Sequence, residues 1–536
     1  MSESPRRIAA AALGMATICL VWIEEPLVRS RHEIVYHWSG RPLNLFAPVV
    51  LDVLVVWLLL ALLFFLVRAS GRKRVAVWAG IVLFAPSIAL KSLRFLLIVN
   101  PPHLLTLAML GAAIVGYVLV LVLWRPAFAE RFDRVVGLTS VVLGFVAVPG
   151  AVLLCQLVWF GWQARSLNEP RTLHQPQMAS TAGTKPRIFW ILLDELSFQQ
   201  VYEHRFQGLQ LPAFDALAAQ STVFTHIIPA GVPTDKDVRT EKVLPSLLTG
   251  EPVDEIRSSP GGQLSTHNPD TDAWQPFDPH NTVFQDALDA GYSTALAGWF
   301  NPYCRILPTV LDRCFWTSGS VYQYVMVPGA TVESNMQEPA EVLIQASMLH
   351  RFLRPLLRIQ DHSIQDTETH ISDYRKLVDA ADSVLRDRSM GFVLLHLPIP
   401  HPGGIYNRTT GQLTTGPATY IDNLALADNY VAHVRSMLEQ AGEWDSSTIV
   451  IMGDHGWRTQ MMWRDLSNWT REEETASLGG GFDNRPAYIV KLPGQQTHAT
   501  IDTPFRAVRT RKLLEALLTQ RIRSTEDLSA WAQQTH

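Results

Sequence analysis

The chain has 536 residues, 48% of them hydrophobic, and a formal net charge of −4 at pH 7. It is too long for one ordinary domain, and its mean hydropathy of +0.10 is too high for an average soluble protein. The sequence has no basic cluster of the kind that binds nucleic acid, so we expect no nucleic-acid partner.

Five apolar stretches occupy the N-terminal third of the chain. Because about 20 apolar residues cross a bilayer, we predict an all-α bundle of five transmembrane helices within residues 1–163. The first stretch follows Arg6 and Arg7 and by itself also fits a signal peptide, but the four later stretches favour a membrane anchor. The stretches cover residues 8–23, 43–67, 75–99, 104–124 and 135–162.

Basic residues beside these stretches predict the orientation in the membrane, because cytoplasmic loops are enriched in Arg and Lys. They lie before the first stretch, between the second and third, and between the fourth and fifth. An odd number of spans then places the residues after 163 outside the cytoplasm. We therefore expect a multi-pass protein of the inner (plasma) membrane with an extracytoplasmic C-terminal domain. The basic residues are Arg6, Arg7, Arg68, Arg72, Lys73, Arg74, Arg125, Arg131 and Arg134.

Two of the four cysteines, Cys304 and Cys314, fall in the part that is predicted to be exported. Oxidising compartments permit disulfides, so a bridge between these two is predicted. Two unpaired thiols in a loop are the alternative.

The remainder of the chain divides into a linker and a large domain. Residues 164–186 are polar and rich in Pro, Ser, Thr and Gln, which predicts a linker. From 187 to 536, strand-like apolar runs alternate with helix-like segments such as 423–440. This alternation predicts an α/β domain with a doubly wound sheet.

Polar residues follow several strand-like runs of this domain. The runs cover 188–193, 223–228, 392–395 and 448–452. In an open α/β sheet, ligands bind beyond the carboxyl ends of the strands, so residues placed there converge although the sequence separates them. We therefore predict one active site, built from Asp194, Glu195, Thr240, His396, His401, Asp454 and His455.

The acidic residues of this set, with one histidine, are typical metal ligands. Asp194 and Glu195 end the first run, whereas Asp454 and His455 follow the last run between two glycines, which permit a tight turn. Carboxylate and imidazole ligands suit zinc or manganese, so we expect one or two such ions. The sequence leaves open which of the two adjacent acidic residues is the main ligand, and capping of a loop is the alternative for that pair.

Thr240 begins a segment that predicts a short helix. A hydroxyl at a helix N-terminus meets backbone N–H groups and the positive end of the helix dipole, which together bind a tetrahedral anion. If a metal also contacts this oxygen, the hydroxyl loses its proton more readily and becomes a nucleophile. An ordinary N-cap threonine is the alternative.

His396 and His401 lie in a loop that is rich in proline. They are predicted to act on the substrate, by holding a second ion or by protonating a leaving group. The prolines that fix this loop also allow a purely structural role for both histidines.

These motifs resemble the alkaline phosphatase superfamily, especially its sulfatase-like branch, over residues 186–520. In that family the site combines an acidic residue after the first strand, a nucleophile before a Leu-Leu-Thr-Gly segment, a histidine-rich loop and an Asp-His-Gly strand end. The resemblance implies a sulfatase-like sheet domain that binds a divalent metal. The matching residues are Asp194 or Glu195, Thr240, His396 with His401, and Asp454 with His455.

Within the superfamily, membrane spans before an exported domain with a threonine nucleophile resemble the phosphoethanolamine transferases and the lipoteichoic acid synthases. The resemblance implies a metal-dependent membrane phosphotransferase. Such an enzyme moves a phospholipid-derived phosphoryl head group to a lipid or glycan acceptor of the cell envelope through a phospho-threonine intermediate. It also implies that Thr240 is catalytic and contacts the metal, and that His396 and His401 bind substrate.

Departures from these patterns leave two alternatives. True sulfatases need Cys or Ser in a Cys-x-Pro-x-Arg pattern, where this chain has Thr240, Lys242 and Leu244, which disfavours sulfate ester hydrolysis by that route. A sulfatase-like hydrolase, either a phosphodiesterase or a sulfuric ester hydrolase, is the second interpretation. The transferases usually carry another histidine after the Asp-His-Gly motif, yet none lies between His455 and His498. A catalytically degenerate envelope protein is therefore the third interpretation. The tryptophan-rich loop after the motif is expected either to form a lid or to pack on the domain.

Overall fold

The computed structural model describes residues 4–23, 25–29, 36, 42–68, 71–97, 103–165, 185–230, 238–259, 263–318, 362–464, 468–481 and 483–534. The chain forms two compact units, one with the N-terminal helices and one with the sheet. Most of the predicted linker, 166–184, lies outside the described residues. The domain boundaries at 163 and 187 therefore stay predictions.

The first unit contains helices at all five predicted apolar stretches. They are α1 (Pro5–Leu20), α2 (Pro42–Leu66), α3 (Arg72–Leu97), α4 (His103–Val122) and α5 (Ala129–Ala164). Three described segments are long and apolar enough to cross a membrane, namely Leu45–Leu66, Arg72–Leu90 and Pro126–Ala164. The apolar helix Ala108–Val122 is shorter. That all five helices cross the membrane remains a prediction.

Small residues let α1 approach α5 closely. A Cβ added at Gly14 would lie 1.9 Å from the Leu143 carbonyl oxygen, and one added at Gly150 would lie 1.9 Å from Thr17 Oγ1. Membrane helices commonly pack through such small residues, because apolar side chains gain little by leaving lipid for a helix interface. Many Leu and Val side chains of α2, α4 and α5 stay exposed, as expected for surfaces that contact lipid.

The second unit is an α/β domain with fifteen described strands. They are β1 (Ile188–Leu193), β2 (Thr222–Phe224), β3 (Ile227–Ile228), β4 (Glu255–Ser258), β5 (Leu264–Asn268), β6 (Ala273–Pro276), β7 (Thr294–Trp299), β8 (Arg313–Thr317), β9 (Phe392–Leu397), β10 (Tyr406–Asn407), β11 (Gln412–Leu413), β12 (Thr448–Met452), β13 (Tyr488–Lys491), β14 (Ala499–Ile501) and β15 (Phe505–Arg506). Eight of them form the main sheet in the order β14-β2-β13-β12-β1-β9-β7-β8. Within this sheet only β13 runs antiparallel to its neighbours.

Helices cover both faces of the sheet. The described ones are α6 (Pro212–Ala218), α7 (Thr240–Thr249), α8 (Val283–Asp289), α9 (Tyr303–Ile306), α10 (His362–Arg386), α11 (Tyr420–Gln440), α12 (Arg471–Ala476), α13 (Thr510–Leu518) and α14 (Thr525–Ala532). Trp190 of β1 joins the core beneath α7, α8 and α13, whereas Ile191 joins the core beneath α6, α10 and α11. Because both faces are buried, the central strands are apolar throughout rather than alternating.

The predicted doubly wound α/β fold is confirmed, with local differences. β1 and β12 have the predicted bounds. β9 runs on to Leu397, so His396 lies inside a strand and pairs with Leu192 on one side and Gly298 on the other. The 223–228 run forms two short strands, because β3 leaves the main sheet to pair with β15.

Candidate active site

The end of β1 directs two adjacent carboxylates into one site. Glu195 has a φ of 62°, a left-handed conformation that is uncommon for residues other than glycine. Its N–H donates to Asp454 Oδ1 at 3.0 Å, and its carbonyl accepts the Tyr420 hydroxyl at 2.7 Å. Consecutive side chains of a strand point to opposite faces. At this turn one oxygen of each carboxylate instead lies within 4.8 Å of the other, and both side chains are fully buried.

Asp454 and His455 follow β12, and both are fully buried. The glycines on either side are needed for close backbone approach. A Cβ at Gly453 or Gly456 would lie 2.6 Å or 2.2 Å from a backbone oxygen of a neighbouring segment. Neither glycine has a positive φ, so the tight turn that the sequence suggested is not the reason for them.

Thr240 is the first residue of α7, and its hydroxyl faces the carboxylates. Thr240 Oγ1 donates to Asp454 Oδ2 at 2.8 Å and lies 3.3 Å from Asp194 Oδ2. The N-cap of α7 is Arg239, which makes no side-chain capping bond. The Thr240 hydroxyl therefore does not cap α7. It instead donates a hydrogen bond to Asp454, which lies 214 residues away in the sequence.

Two ligand atoms around this hydroxyl have no hydrogen-bond partner among the described residues. They are Asp194 Oδ1 and His396 Nε2, both on fully buried side chains. His455 Nε2 is also fully buried, and it faces Asp454 Oδ2 at 3.0 Å. One ligand atom from each of Asp194, Asp454 and His455 also lies within 4.8 Å of the others. Buried polar atoms normally have partners, and carboxylates and imidazoles bind zinc and manganese. The donor set therefore fits a divalent cation.

The tautomer of His455 suits a metal ligand. His455 Nδ1 lies 3.0 Å from the Gly456 carbonyl oxygen, which can only accept a hydrogen bond. Nδ1 therefore carries a hydrogen, and Nε2, which lies 3.0 Å from Asp454 Oδ2, is the ring nitrogen left for a metal. Histidines that bind metals usually donate their other ring N–H in this way.

The charges of the site also favour a cation. Burial and the neighbouring Asp454 carboxylate raise the pKa of Asp194 well above its usual range. Burial opposes ionisation of Asp454 as well, but His455 lowers the pKa of Asp454 below its usual range. Two carboxylates that contact one hydroxyl repel each other, and a divalent ion between them would offset that repulsion.

Glu195 is bound by donors of the chain itself. Arg458 Nε and Nη2 donate to Glu195 Oε1 at 2.9 and 2.6 Å, and Trp463 Nε1 lies 3.1 Å from both carboxylate oxygens. Burial opposes ionisation here too, but Arg458 lowers the pKa of Glu195. By distance Glu195 also groups with Asp194 and His401 as possible ligands. Because these donors already bind the Glu195 oxygens, Asp194 is the better placed metal ligand. A ligand role for Glu195 stays a prediction.

We predict that Arg458→Met destabilises the sheet domain by about 3–5 kcal/mol, because it leaves the buried Glu195 carboxylate without its counter-charge. The double variant Glu195→Gln/Arg458→Met removes both charges, so we expect it to lose much less stability than Arg458→Met alone. Thermal unfolding of the full-length protein in detergent measures both variants. An unfolding temperature of Arg458→Met equal to that of the wild type would contradict the prediction.

His396 contacts the same site from β9. Its Nε2 lies 3.5 Å from Asp194 Oδ2, and its Nδ1 lies 2.7 Å from the Tyr303 hydroxyl. Burial lowers the pKa of His396 to about 4, so the ring is neutral near pH 7. A neutral imidazole offers one donor and one acceptor.

His401 lies on the Glu195 side of the site, in the loop after β9. Its Nε2 is 4.0 Å from Glu195 Oε1, and its ring centroid lies 5.1 Å from those of Trp299 and Trp463. Burial lowers the pKa of His401 to about 4. Asn423 of α11 fixes this loop by donating from Nδ2 to the His401 carbonyl at 2.8 Å.

The match to a known family agrees with this arrangement of strands and side chains. The sulfatase family profile matches residues 186–498, which is more than half of the chain. The chain belongs to the sulfatase family. It is therefore a sulfatase-like enzyme of the alkaline phosphatase superfamily, as the motifs predicted. That family uses divalent metals, in agreement with the buried donor set.

Similar solved structures include three kinds of enzyme. The PsFucS1 sulfatase from Pseudoalteromonas sp. is 14% identical with a TM-score of 0.38, and the match covers 66% of this sulfatase-family chain and 74% of that one. The lipoteichoic acid synthase LtaP from Listeria monocytogenes is 13% identical with a TM-score of 0.36, over 65% and 75% of the two chains. The murine ectonucleotide pyrophosphatase/phosphodiesterase 5 is 10% identical with a TM-score of 0.35, over 65% and 99%. No curated protein matches the chain.

Sequence reasoning missed His370, which lies on α10 of this sulfatase-family domain. Its Nε2 lies 2.9 Å from the Pro398 carbonyl oxygen, and its Nδ1 lies 3.1 Å from that of Gly403. It thus contacts both ends of the loop that carries His401, and its ring N–H donates to one of these carbonyl oxygens. A single histidine in a long polar helix gives no pattern that distinguishes this role.

The described residues of the tryptophan-rich loop pack on the domain. Trp457 stacks on Tyr420 with ring centroids 4.1 Å apart, and Trp469 Nε1 donates to Glu474 Oε2 at 2.8 Å. The described part of this loop is thus packed on the domain, and a role as a lid stays a prediction. Arg458 lies in this loop, and its pairing with Glu195 could not be predicted from the motif.

Proposed function

We propose that this enzyme is a metal-dependent membrane phosphotransferase that works through a phospho-threonine intermediate. The observation that carries the proposal is the Thr240 hydroxyl, which meets Asp454 and Asp194 among unpaired metal-ligand atoms. A hydroxyl in this position can attack phosphorus, whereas a threonine cannot be converted to the formylglycine of sulfatases. A phosphoryl ester is therefore favoured over a sulfate ester.

The proposed reaction has two transfers. In the first, a bond forms between Thr240 Oγ1 and phosphorus, and the bond from phosphorus to the diacylglycerol oxygen breaks. The hydroxyl proton leaves Thr240, and the departing oxygen takes up a proton. In the second, the oxygen of an acceptor alcohol bonds to phosphorus, and the bond from phosphorus to Thr240 Oγ1 breaks. The acceptor hydroxyl loses its proton, and Thr240 Oγ1 takes one up, which restores the threonine. The acceptor is a lipid or glycan of the cell envelope.

The side chains of the site have separate roles in these transfers. Asp194, Asp454 and His455, with Thr240, would hold a zinc or manganese ion, which when bound supplies positive charge that favours the alkoxide of threonine. The position of Thr240 at the N-terminus of α7 places backbone N–H groups near the phosphoryl oxygens. His396 contacts the phosphoryl group, and His401 contacts the rest of the substrate on the Glu195 side.

The disulfide and the apolar helices support a location at the outer face of the inner membrane. Cys304 and Cys314 form a disulfide, which is typical of proteins outside the cytoplasm. Three described helices are long and apolar enough to cross a membrane, and a membrane is where a phospholipid donor is found.

The test is release of diacylglycerol from phospholipids labelled in the glycerol backbone, by full-length protein in detergent with zinc or manganese. Without an acceptor, a transferase releases about one equivalent and stops, and mass spectrometry finds the head-group phosphoryl on the Thr240 peptide. Turnover resumes when an alcohol acceptor is supplied. An aryl sulfate assay runs in parallel.

Other outcomes assign the enzyme differently. Steady release without an acceptor would make it a phosphodiesterase, and sulfate release alone would make it a sulfatase. No release from any ester, together with no bound metal, would leave the catalytically degenerate interpretation.

A further inference from the structure

His370 of α10 spans the base of the loop that carries His401. It is 6% exposed, and both of its ring nitrogens face backbone carbonyl oxygens, those of Pro398 and Gly403. These carbonyls lie three residues before and two residues after His401. The proposed transfers give His370 no role of its own, so its contacts point to an effect on this loop.

Three aromatic rings connect His370 to His401. The Trp299 ring stacks on His370 with an interplanar angle of 13° and ring centroids 6.1 Å apart. The same tryptophan meets His401 edge to face at 5.1 Å, and the two histidine rings are 6.1 Å apart. The position of the His401 ring therefore depends on His370 in two ways, through the loop backbone and through Trp299.

A second residue of α10 fixes Trp299. Asp373 is buried, and it accepts hydrogen bonds from Trp299 Nε1 at 3.3 Å and from the Thr317 hydroxyl at 2.8 Å. Residues three apart on a helix lie on the same face, so Asp373 and His370 face the same way. One face of α10 thus supports both the end of β7 and the His401 loop.

The His401 side chain is accessible, unlike those at the bottom of the site. It is 19% exposed, whereas the side chains of Asp194, His396 and His455 are fully buried. A side chain that binds substrate from a loop needs supporting contacts, because a loop by itself holds a side chain less exactly than a helix or strand does. His370 and Trp299 supply such contacts.

We propose that His370 is a positioning residue that acts on substrate binding through His401, by holding the loop and the Trp299 ring against which His401 packs. The part of this inference that concerns substrate rests on the proposed function, in which His401 contacts the substrate on the Glu195 side. The support of the loop is a property of the protein without substrate. His370 should therefore affect how tightly substrate binds and not the chemistry at Thr240.

The first test compares KM and kcat for the labelled phospholipid with the acceptor alcohol in excess. We expect His370→Leu to raise KM by about 10-fold, the order of effect of coupled neighbours, and to leave kcat nearly unchanged. In a His401→Ala background the same change should have little further effect, because the ring that it positions is gone. An equal rise of KM in both backgrounds, or a fall in kcat with KM unchanged, would overturn the proposal.

Conservative variants make the test specific to the hydrogen bond of His370. The amide N–H of Gln stands near the place of Nε2 and that of Asn near the place of Nδ1, so one of the two variants should recover most of the wild-type KM. Failure of both would reject the hydrogen bond as the means of positioning. His433→Leu is the matched control. His433 also bonds α10, 2.8 Å from Asp382, but this contact is about 18 Å along the helix from His370, so KM should not change.

The second test uses no turnover. Asn423 donates to the His401 carbonyl and accepts the Ile405 N–H at 2.9 Å, so it keeps the loop attached when His370 is replaced. Hydrogen–deuterium exchange of the full-length protein in detergent should be faster in His370→Leu for the peptide over 398–406, and unchanged for β1 and β12. Unchanged exchange over 398–406 would overturn the positioning role. Faster exchange in a protein that releases no diacylglycerol would support this role and reject only the proposed function.

Discussion

Thr240→Ala should reduce turnover by about 10³-fold or more, because it removes the nucleophile itself. The bound metal should remain, since Asp194, Asp454 and His455 keep their ligand atoms. Turnover is measured as release of labelled diacylglycerol, and metal content by elemental analysis of the same preparation. The expected result is thus an inactive protein with the metal content of the wild type.

Two variants make this result specific to the hydroxyl of residue 240. Thr240→Ser keeps a hydroxyl and should retain measurable activity. Thr249→Ala removes a hydroxyl at the other end of α7, where it donates to the Pro245 carbonyl at 2.8 Å, and should leave turnover unchanged. Full activity of Thr240→Ala would reject the phospho-threonine mechanism.

Asp454→Asn should weaken metal binding by about 100-fold or more. In the wild type, the Asp454 carboxylate accepts hydrogen bonds from the Thr240 hydroxyl and the Glu195 N–H, and it lies 3.0 Å from His455 Nε2. It therefore connects three parts of the site. Asn keeps the shape but removes the charge that binds a cation. Even outer partners of ligands change affinity by about 10–100-fold, and a direct ligand should matter more. Metal titration of the chelator-stripped full-length protein measures the change.

Asp428→Asn is the control for loss of a buried carboxylate elsewhere. Asp428 is buried and accepts the N–H groups of Ala213 and Phe214 at the start of α6, away from the metal-ligand atoms. It should bind metal like the wild type. Excess metal should restore part of the activity of Asp454→Asn but none of that of Thr240→Ala. Unchanged affinity in Asp454→Asn would remove Asp454 from the ligand set.

The contrast between Asp194 and Glu195 shows the limit of the motif. The sequence placed both residues at the end of β1 and left the main ligand open. The structure pairs Glu195 with Arg458 and Trp463, whereas Asp194 Oδ1 lacks a partner among the described residues. Arg458 lies 263 residues from Glu195 in the sequence, so no local sequence pattern could predict that the two side chains pair.

By itself the sequence determined the α/β fold, the positions of the central strands and the residues that meet at their carboxyl ends. It could do so because apolar runs and strand-end motifs are local patterns, and a parallel sheet brings such ends together. The tertiary structure alone decided which carboxylate is free for a metal and that Arg458 and Trp463 bind Glu195. These depend on contacts between distant segments, and hydrogen-bond partners at that range are set by packing and not by neighbours in sequence.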